Sequence, residues 1–123
     1  MSTQTLIIPN ELSTMNKMIN ADRSHWAIGA KNKKTNTYLV AGLCREQGIK
    51  KVSIPPRFFI TFYRKNKRTE KDNLLAQTKE LLDGLVMAGV IADDRWDNYT
   101  DLSFAYRIDS KNPRLVVEII EEI

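Results

Sequence analysis

Apolar positions along the chain follow two periods. In residues 57–63, Phe58, Ile60 and Phe62 alternate with Phe59, Thr61 and Tyr63, directly after the break at Pro55-Pro56. Both faces of this run are apolar, which predicts a strand lying within a sheet rather than at its rim. Leu102, Phe104, Tyr106 and Ile108 alternate with Ser103, Ala105 and Arg107, the pattern of a half-buried strand. A turn over residues 110–113, with Pro113, then predicts that residues 115–120 return as its hairpin partner. Residues 4–8 read as a short strand stopped by Pro9, followed by a polar loop holding Ser13, Asn16 and Asn20. The second period is helical. Residues 22–47 read as a helix with a break near Gly29 and an end at Gly48. Leu74, Leu75, Thr78, Leu81, Leu82, Leu85 and Val86 recur every three to four residues, predicting a helix over 73–88 with Asp72 as its N-cap and Gly89 as its terminator. Strand, helix, strand, helix and hairpin make an α/β fold, a mixed sheet of about four strands with two helices packed on it.

At 123 residues the chain is long enough for one core, so residues 1–123 are expected to form a single domain. Its 19 Lys and Arg against 15 Asp and Glu leave a net charge of +4 and a pI near 9.3, mildly basic overall. The distribution says more. Arg57, Arg64, Lys65, Lys67, Arg68 and Lys71 crowd one segment, while Glu118, Glu121 and Glu122 gather near the far end. That asymmetry suits an anionic partner at the basic segment, although a solvated surface has the same composition. Arg23, Lys31, Lys33 and Lys34, on the early half of the first helix, admit the same two readings. The lone Cys44 excludes an internal disulfide and a multi-cysteine zinc site, and its apolar neighbours predict burial. The lone His25 argues against a histidine-based triad. With a single cysteine, the cell interior is the expected compartment; no apolar run reaches the length of a membrane span, and the first residues carry no signal-peptide core.

The segment from Lys67 to Trp96 holds the candidate chemistry. At 100° per residue, Asp72, Ala76, Lys79 and Asp83 fall within roughly 60° of one another, beside the apolar face. Glu70 precedes Asp72 by two residues, and Asp93-Asp94 follow the helix. Mg²⁺ takes oxygen ligands and keeps several waters, so two or three carboxylates from separate elements suffice to hold it. Phosphodiester hydrolysis uses such an ion to activate water and to steady the leaving oxygen. The plainer reading makes Asp72 a helix cap, Lys79 and Asp83 a surface pair, and Asp93-Asp94 a turn. Trp96, beside the aspartates, either orders that loop or widens a partner interface; Tyr63 and the strand aromatics read as core rather than as base-stacking groups.

A resemblance adds to this. The order of basic cluster, Glu70-x-Asp72-Asn73, a helix carrying Lys79, Ala88-Gly89 and then Asp93-Asp94 looks like the RusA-type Holliday-junction resolvases, especially their short phage and prophage versions. Ile8-Pro9 with Leu12, residues 16–23 and 29–31, and residues 112–119 extend the likeness over nearly the whole chain. The resemblance implies a Mg²⁺-dependent endodeoxyribonuclease that resolves four-way junctions in recombination and repair, working as a homodimer and of phage or prophage origin. It assigns the metal to Glu70, Asp72 and Asp94, with Lys79 also required for catalysis. The family's first acid is usually aspartate, one methylene shorter than Glu70, and the choice of Asp94 over Asp93 follows from the Ala-Gly turn. DNA phosphates are expected on Arg23, Lys31, Arg64, Lys65, Lys67, Arg68 and Lys71. Two other functions fit the same surface: a protein that binds branched DNA without cutting it, and a nuclease that prefers flaps or other branches.

Overall fold

A computed structural model of the chain describes residues 2–9 and 26–122. The elements are β1 (Ser2–Pro9), α1 (Trp26–Glu46), β2 (Arg57–Arg64), α2 (Lys71–Leu75), α3 (Gln77–Met87), a 3₁₀ turn (Trp96–Asn98), β3 (Asp101–Ile108) and β4 (Arg114–Glu121). The four strands form one mixed sheet in the order β1-β4-β2-β3. β4 runs antiparallel to both β1 and β2, and β2 runs parallel to β3. This is the expected α/β architecture.

The expected β3–β4 hairpin does not form. The connection after β3 carries the chain past the end of β2, so that β4 enters between β1 and β2. The cause is visible in β2, whose apolar side chains pack best with a neighbour on each edge. In register, Phe62 lies opposite Tyr106 of β3 on one side and Leu115 of β4 on the other. Alternation along β3 fixes which face its side chains occupy but says nothing about which strand lies alongside.

One face of the sheet builds the core. Leu6 and Ile8 of β1, Phe58, Ile60 and Phe62 of β2, and Leu115, Val117 and Ile119 of β4 are almost wholly buried. They meet Val40 and Cys44 of α1, Leu74 of α2, and Leu81 and Leu85 of α3. The helix expected over 73–88 starts earlier, at Lys71, and is interrupted at Ala76. The interruption changes the buried face: Leu75 is exposed, whereas Gln77 and Glu80 are buried. α1 passes through Gly29 without the expected break. The strand reading at 4–8 lengthens to the eight residues of β1, while Ser13, Asn16, Asn20, Arg23 and His25 lie outside the described residues.

Both long helices end in the same way. At α1, Ile49 N–H donates to the Cys44 carbonyl (2.9 Å) and Gly48 N–H to that of Arg45 (3.3 Å), with Gly48 at φ +70°. At α3, Val90 N–H donates to Leu85 (2.9 Å) and Gly89 N–H to Val86 (3.0 Å), with Gly89 at φ +78°. These are Schellman closures, in which a left-handed residue lets its own amide and the next one satisfy the last carbonyls. The second one matters for the site. It turns the chain so that Val90 and Ile91 drop into the core, and Ala92 to Asp94 emerge alongside α3. Among the described residues, no helix is long and apolar enough to cross a membrane.

Candidate functional site

The parallel β2–β3 pair requires a crossover, and the crossover carries nearly all the candidate residues. It begins with a basic loop beyond the carboxyl end of β2. Arg64 braces the loop by donating from Nη2 to Thr69 Oγ1 (3.0 Å), and Asn66 Oδ1 accepts from the Arg68 amide (3.0 Å). Arg64 is therefore half-buried and structural as well as basic, while Lys65, Lys67 and Arg68 are exposed. Lys71 Nζ lies 5.2 Å from the centre of the Tyr106 ring, a cation–π contact that ties the start of α2 to the end of β3. Between the loop and the strand is an open hollow of about 570 Å³, lined by Arg64, Lys67, Glu70, Lys71, Tyr106 and Arg107 among others.

Asp72 is not the helix cap. Lys71 and Asp72 are already helical, and Glu70, with φ −66° and ψ 148°, occupies the cap position. An acid in the first turn complements the positive helix end as well as an acid at the cap does, so the sequence favours neither place. The Glu70 carboxylate makes no capping hydrogen bond. Both acids are exposed, and Glu70 lines the hollow. The Tyr106 hydroxyl is held above its ordinary pKa, by burial first and then by the negative charge of Asp72, which places that carboxylate within electrostatic reach of β3.

A second cluster lies farther along the crossover. Lys79 Nζ donates to Asp94 Oδ2 and lies 3.2 Å from Asp83 Oδ1. The hydrogen bond that Lys79 donates to Asp94, followed by that to Asp83, raises the lysine pKa; the same bond in turn holds the Asp94 carboxyl below the usual range. Asp93 is spent differently. Its Oδ1 accepts from the Arg95 amide (2.9 Å) and from the Asn98 side-chain amide, fixing the 3₁₀ turn. Of the two adjacent aspartates, Asp94 faces the helix and Asp93 builds the loop.

The structure thus brings Lys79 and Asp94 into direct contact and places Glu70 and Asp72 at the start of α2, as two groups. Asp72 stands in the first turn of α2 and Lys79 in α3, with the interruption at Ala76 between them. Among the described residues, no three acidic, histidine or cysteine side chains are gathered closely enough to hold a metal ion. The chemistry of the donors at the first group does suit Mg²⁺: they are exposed carboxylate oxygens, the Glu70 carboxylate is not engaged in capping, and Mg²⁺ commonly takes one or two carboxylates with water and phosphate completing its shell.

Sequence reasoning did not find the contribution of β3. Tyr106 and Arg107 line the hollow because β3 pairs with β2 in parallel, placing Arg107 opposite Tyr63. The alternation in β3 marked Arg107 simply as a solvent-side residue. Lys31 falls within α1, and Arg23 lies outside the described residues. No family model matches the chain, and no curated protein matches it.

Proposed function

We propose that the protein is a Mg²⁺-dependent endodeoxyribonuclease acting on branched DNA, four-way junctions above all, inside the cell. The observation that carries this reading is the make-up of the crossover, where a braced basic loop opens directly onto exposed carboxylates, with an ion-paired lysine farther along. Lys65, Lys67 and Arg68 would grip backbone phosphates irrespective of base sequence, and Arg107 would add charge from the other wall of the hollow. Glu70 and Asp72 would hold Mg²⁺, to which the family resemblance also assigns Asp94; when bound, the ion supplies a polarised water and charge neutralisation at the scissile phosphate. Lys79, charged throughout the neutral range, would stabilise negative charge as it builds on the phosphate. Paired cuts in opposed strands would call for a two-fold dimer with two equivalent sites.

A second reading is favoured by one specific contact. Lys79 donates to Asp94, engaging a carboxylate that the nuclease reading assigns to the metal, which suits a protein that binds branched DNA without cutting it. Incubating the protein with an end-labelled synthetic four-way junction, in Mg²⁺ and then in EDTA, separates the two. Metal-dependent symmetric nicks support the nuclease. A stable complex that is never cut supports the binding protein.

A further inference from the structure

Trp96 stands out among the large apolar side chains. It is 92% exposed, while the other described members of that class range from fully buried to about half exposed. Tryptophan has the most to gain from burial, so an indole held in water asks for a reason. The turn that carries it is well built. Asp93 closes it by accepting from the Arg95 amide and from Asn98, the Asn98 amide donates to the Arg95 carbonyl (3.1 Å), and the Thr100 amide donates to the Pro56 carbonyl (2.8 Å). The loop is ordered by Asp93 and Asn98, and the indole takes no part in ordering it. Beside it is a shallow hollow of about 420 Å³ bounded by Pro55, Asp97, Tyr99 and Thr100.

We infer that Trp96 is a base-stacking residue, which docks on the exposed face of a nucleobase at a branch point and so supplies preference for branched over linear DNA. The inference rests on the nucleic-acid reading above and adds a residue and a specificity to it. Three observations support a base as the occupant. First, Trp96 follows Asp94 by two residues, so their Cα atoms are no more than about 7 Å apart, and a group stacked on Trp96 is one nucleotide's reach from the Lys79–Asp94 pair. Second, the exposed carboxylate of Asp97 beside the indole disfavours a phosphate at this spot, whereas the flat face of a base is uncharged. Third, the turn sits at the amino end of the parallel strand pair and the basic loop at its carboxyl end. Seven residues of strand separate them by about 23 Å, the length of roughly seven base pairs. An arm of that length, gripped at the loop and lying along the strand pair, would bring its end, where stacking is interrupted, to Trp96. A continuous duplex offers no free base face there.

The test measures binding in EDTA, so that cleavage plays no part. Wild type, Trp96→Phe and Trp96→Ala are titrated against a four-way junction and a linear duplex of the same sequence, with 2-aminopurine placed at the branch point of the junction. Stacking predicts that Trp96→Ala weakens junction binding about ten-fold or more and leaves duplex binding unchanged. It also predicts that Trp96→Phe retains most of the preference, and that 2-aminopurine emission is quenched by wild type but not by the alanine variant. Equal junction affinity for wild type and Trp96→Ala overturns the inference while leaving the nuclease reading intact. So does a concentration-dependent blue shift of Trp96 emission without DNA, measured in a Trp26→Phe background, which would place the indole in a contact between copies. If the branch preference depends on Trp96 but wild type never cuts in Mg²⁺, the inference stands and the nuclease reading fails.

Discussion

Single side chains in this protein differ in how much they can do for stability, and that difference makes function testable. Lys79 is mostly exposed although it contacts two carboxylates, so its ion pairs are screened and contribute at most about 1 kcal/mol. Lys79→Ala should therefore barely move the midpoint of thermal unfolding while slowing single-turnover junction cleavage by about a hundredfold or more; normal cutting by that variant would remove Lys79 from the chemistry. The pH dependence of the pair follows from its two shifts. Asp94, held below the ordinary carboxylate range, stabilises the fold above that range and loses the contribution as pH falls through its lowered pKa. Lys79, raised, contributes below the ordinary lysine value and stops doing so only as pH rises through the higher one. The stability difference between wild type and Lys79→Ala should thus be constant from about pH 5 to 10 and vanish in stronger acid. Cys44 is the opposite kind of residue: wholly buried, with its thiol pushed up to about 11 by burial. Iodoacetamide at pH 8 should leave it unmodified in the native protein and alkylate it rapidly in denaturant, since the thiolate is the reactive form. Its burial was legible from its apolar neighbours. The role of Asp93 was not, because an acid that closes a turn and an acid that meets a lysine look alike in sequence.

At the scale of elements, the helices and strands were written in the spacing of apolar residues, and their partners were not. Both helix ends were marked by glycine, Gly48 and Gly89, because only a left-handed residue closes the last turn in this way. Nothing local marked the break at Ala76, where the helix yields so that Gln77 and Glu80, rather than Leu75, are buried. The hairpin expectation failed for a related reason: short connections favour neighbouring strands, and here the two open edges of β2 outweighed that tendency. The outer edge of β1 is covered by an amide. Gln47 Oε1 accepts from the Ile7 amide (2.9 Å) and Gln47 Nε2 donates to its carbonyl (2.6 Å), occupying groups that would otherwise pair with another chain. The contact between α1 and α3 depends on Gly84. A Cβ placed there would lie 2.4 Å from Val40 Cβ and 3.0 Å from the Thr37 carbonyl oxygen. Gly84→Ala should destabilise the protein by about 1–3 kcal/mol despite the better helix propensity of alanine. Adding Val40→Ala should recover part of the loss if the clash is the cause. Equilibrium urea unfolding of the two single variants and the double variant measures that coupling.

For the molecule as a whole, the question is whether charge that binds and charge that reacts can be separated. Lys65, Lys67 and Arg68 project from a braced loop, and the exposed carboxylates of Glu70 and Asp72 follow within a few residues, so that a polyanion held by the former is repelled by the latter until a cation intervenes. Asp72→Asn keeps the side-chain shape, removes one negative charge and weakens any hold on Mg²⁺. Junction affinity in EDTA should accordingly be unchanged or tighter than wild type, while cleavage in Mg²⁺ falls by orders of magnitude. Replacing Lys65, Lys67 and Arg68 together should do the reverse. Binding to every branched substrate should weaken, and the slope of log affinity against log salt should flatten by nearly one for each phosphate that is no longer neutralised, because fewer counterions are released. Turnover at saturating junction should be largely kept. The two variants thus move different observables, which an account based on general destabilisation would not produce. If Asp72→Asn cuts as well as wild type in Mg²⁺, the carboxylate serves only the positive end of α2 and the metal assignment falls. If wild type shows the steep salt dependence and is never seen to cut, the basic loop is a DNA grip on a protein that leaves cleavage to another.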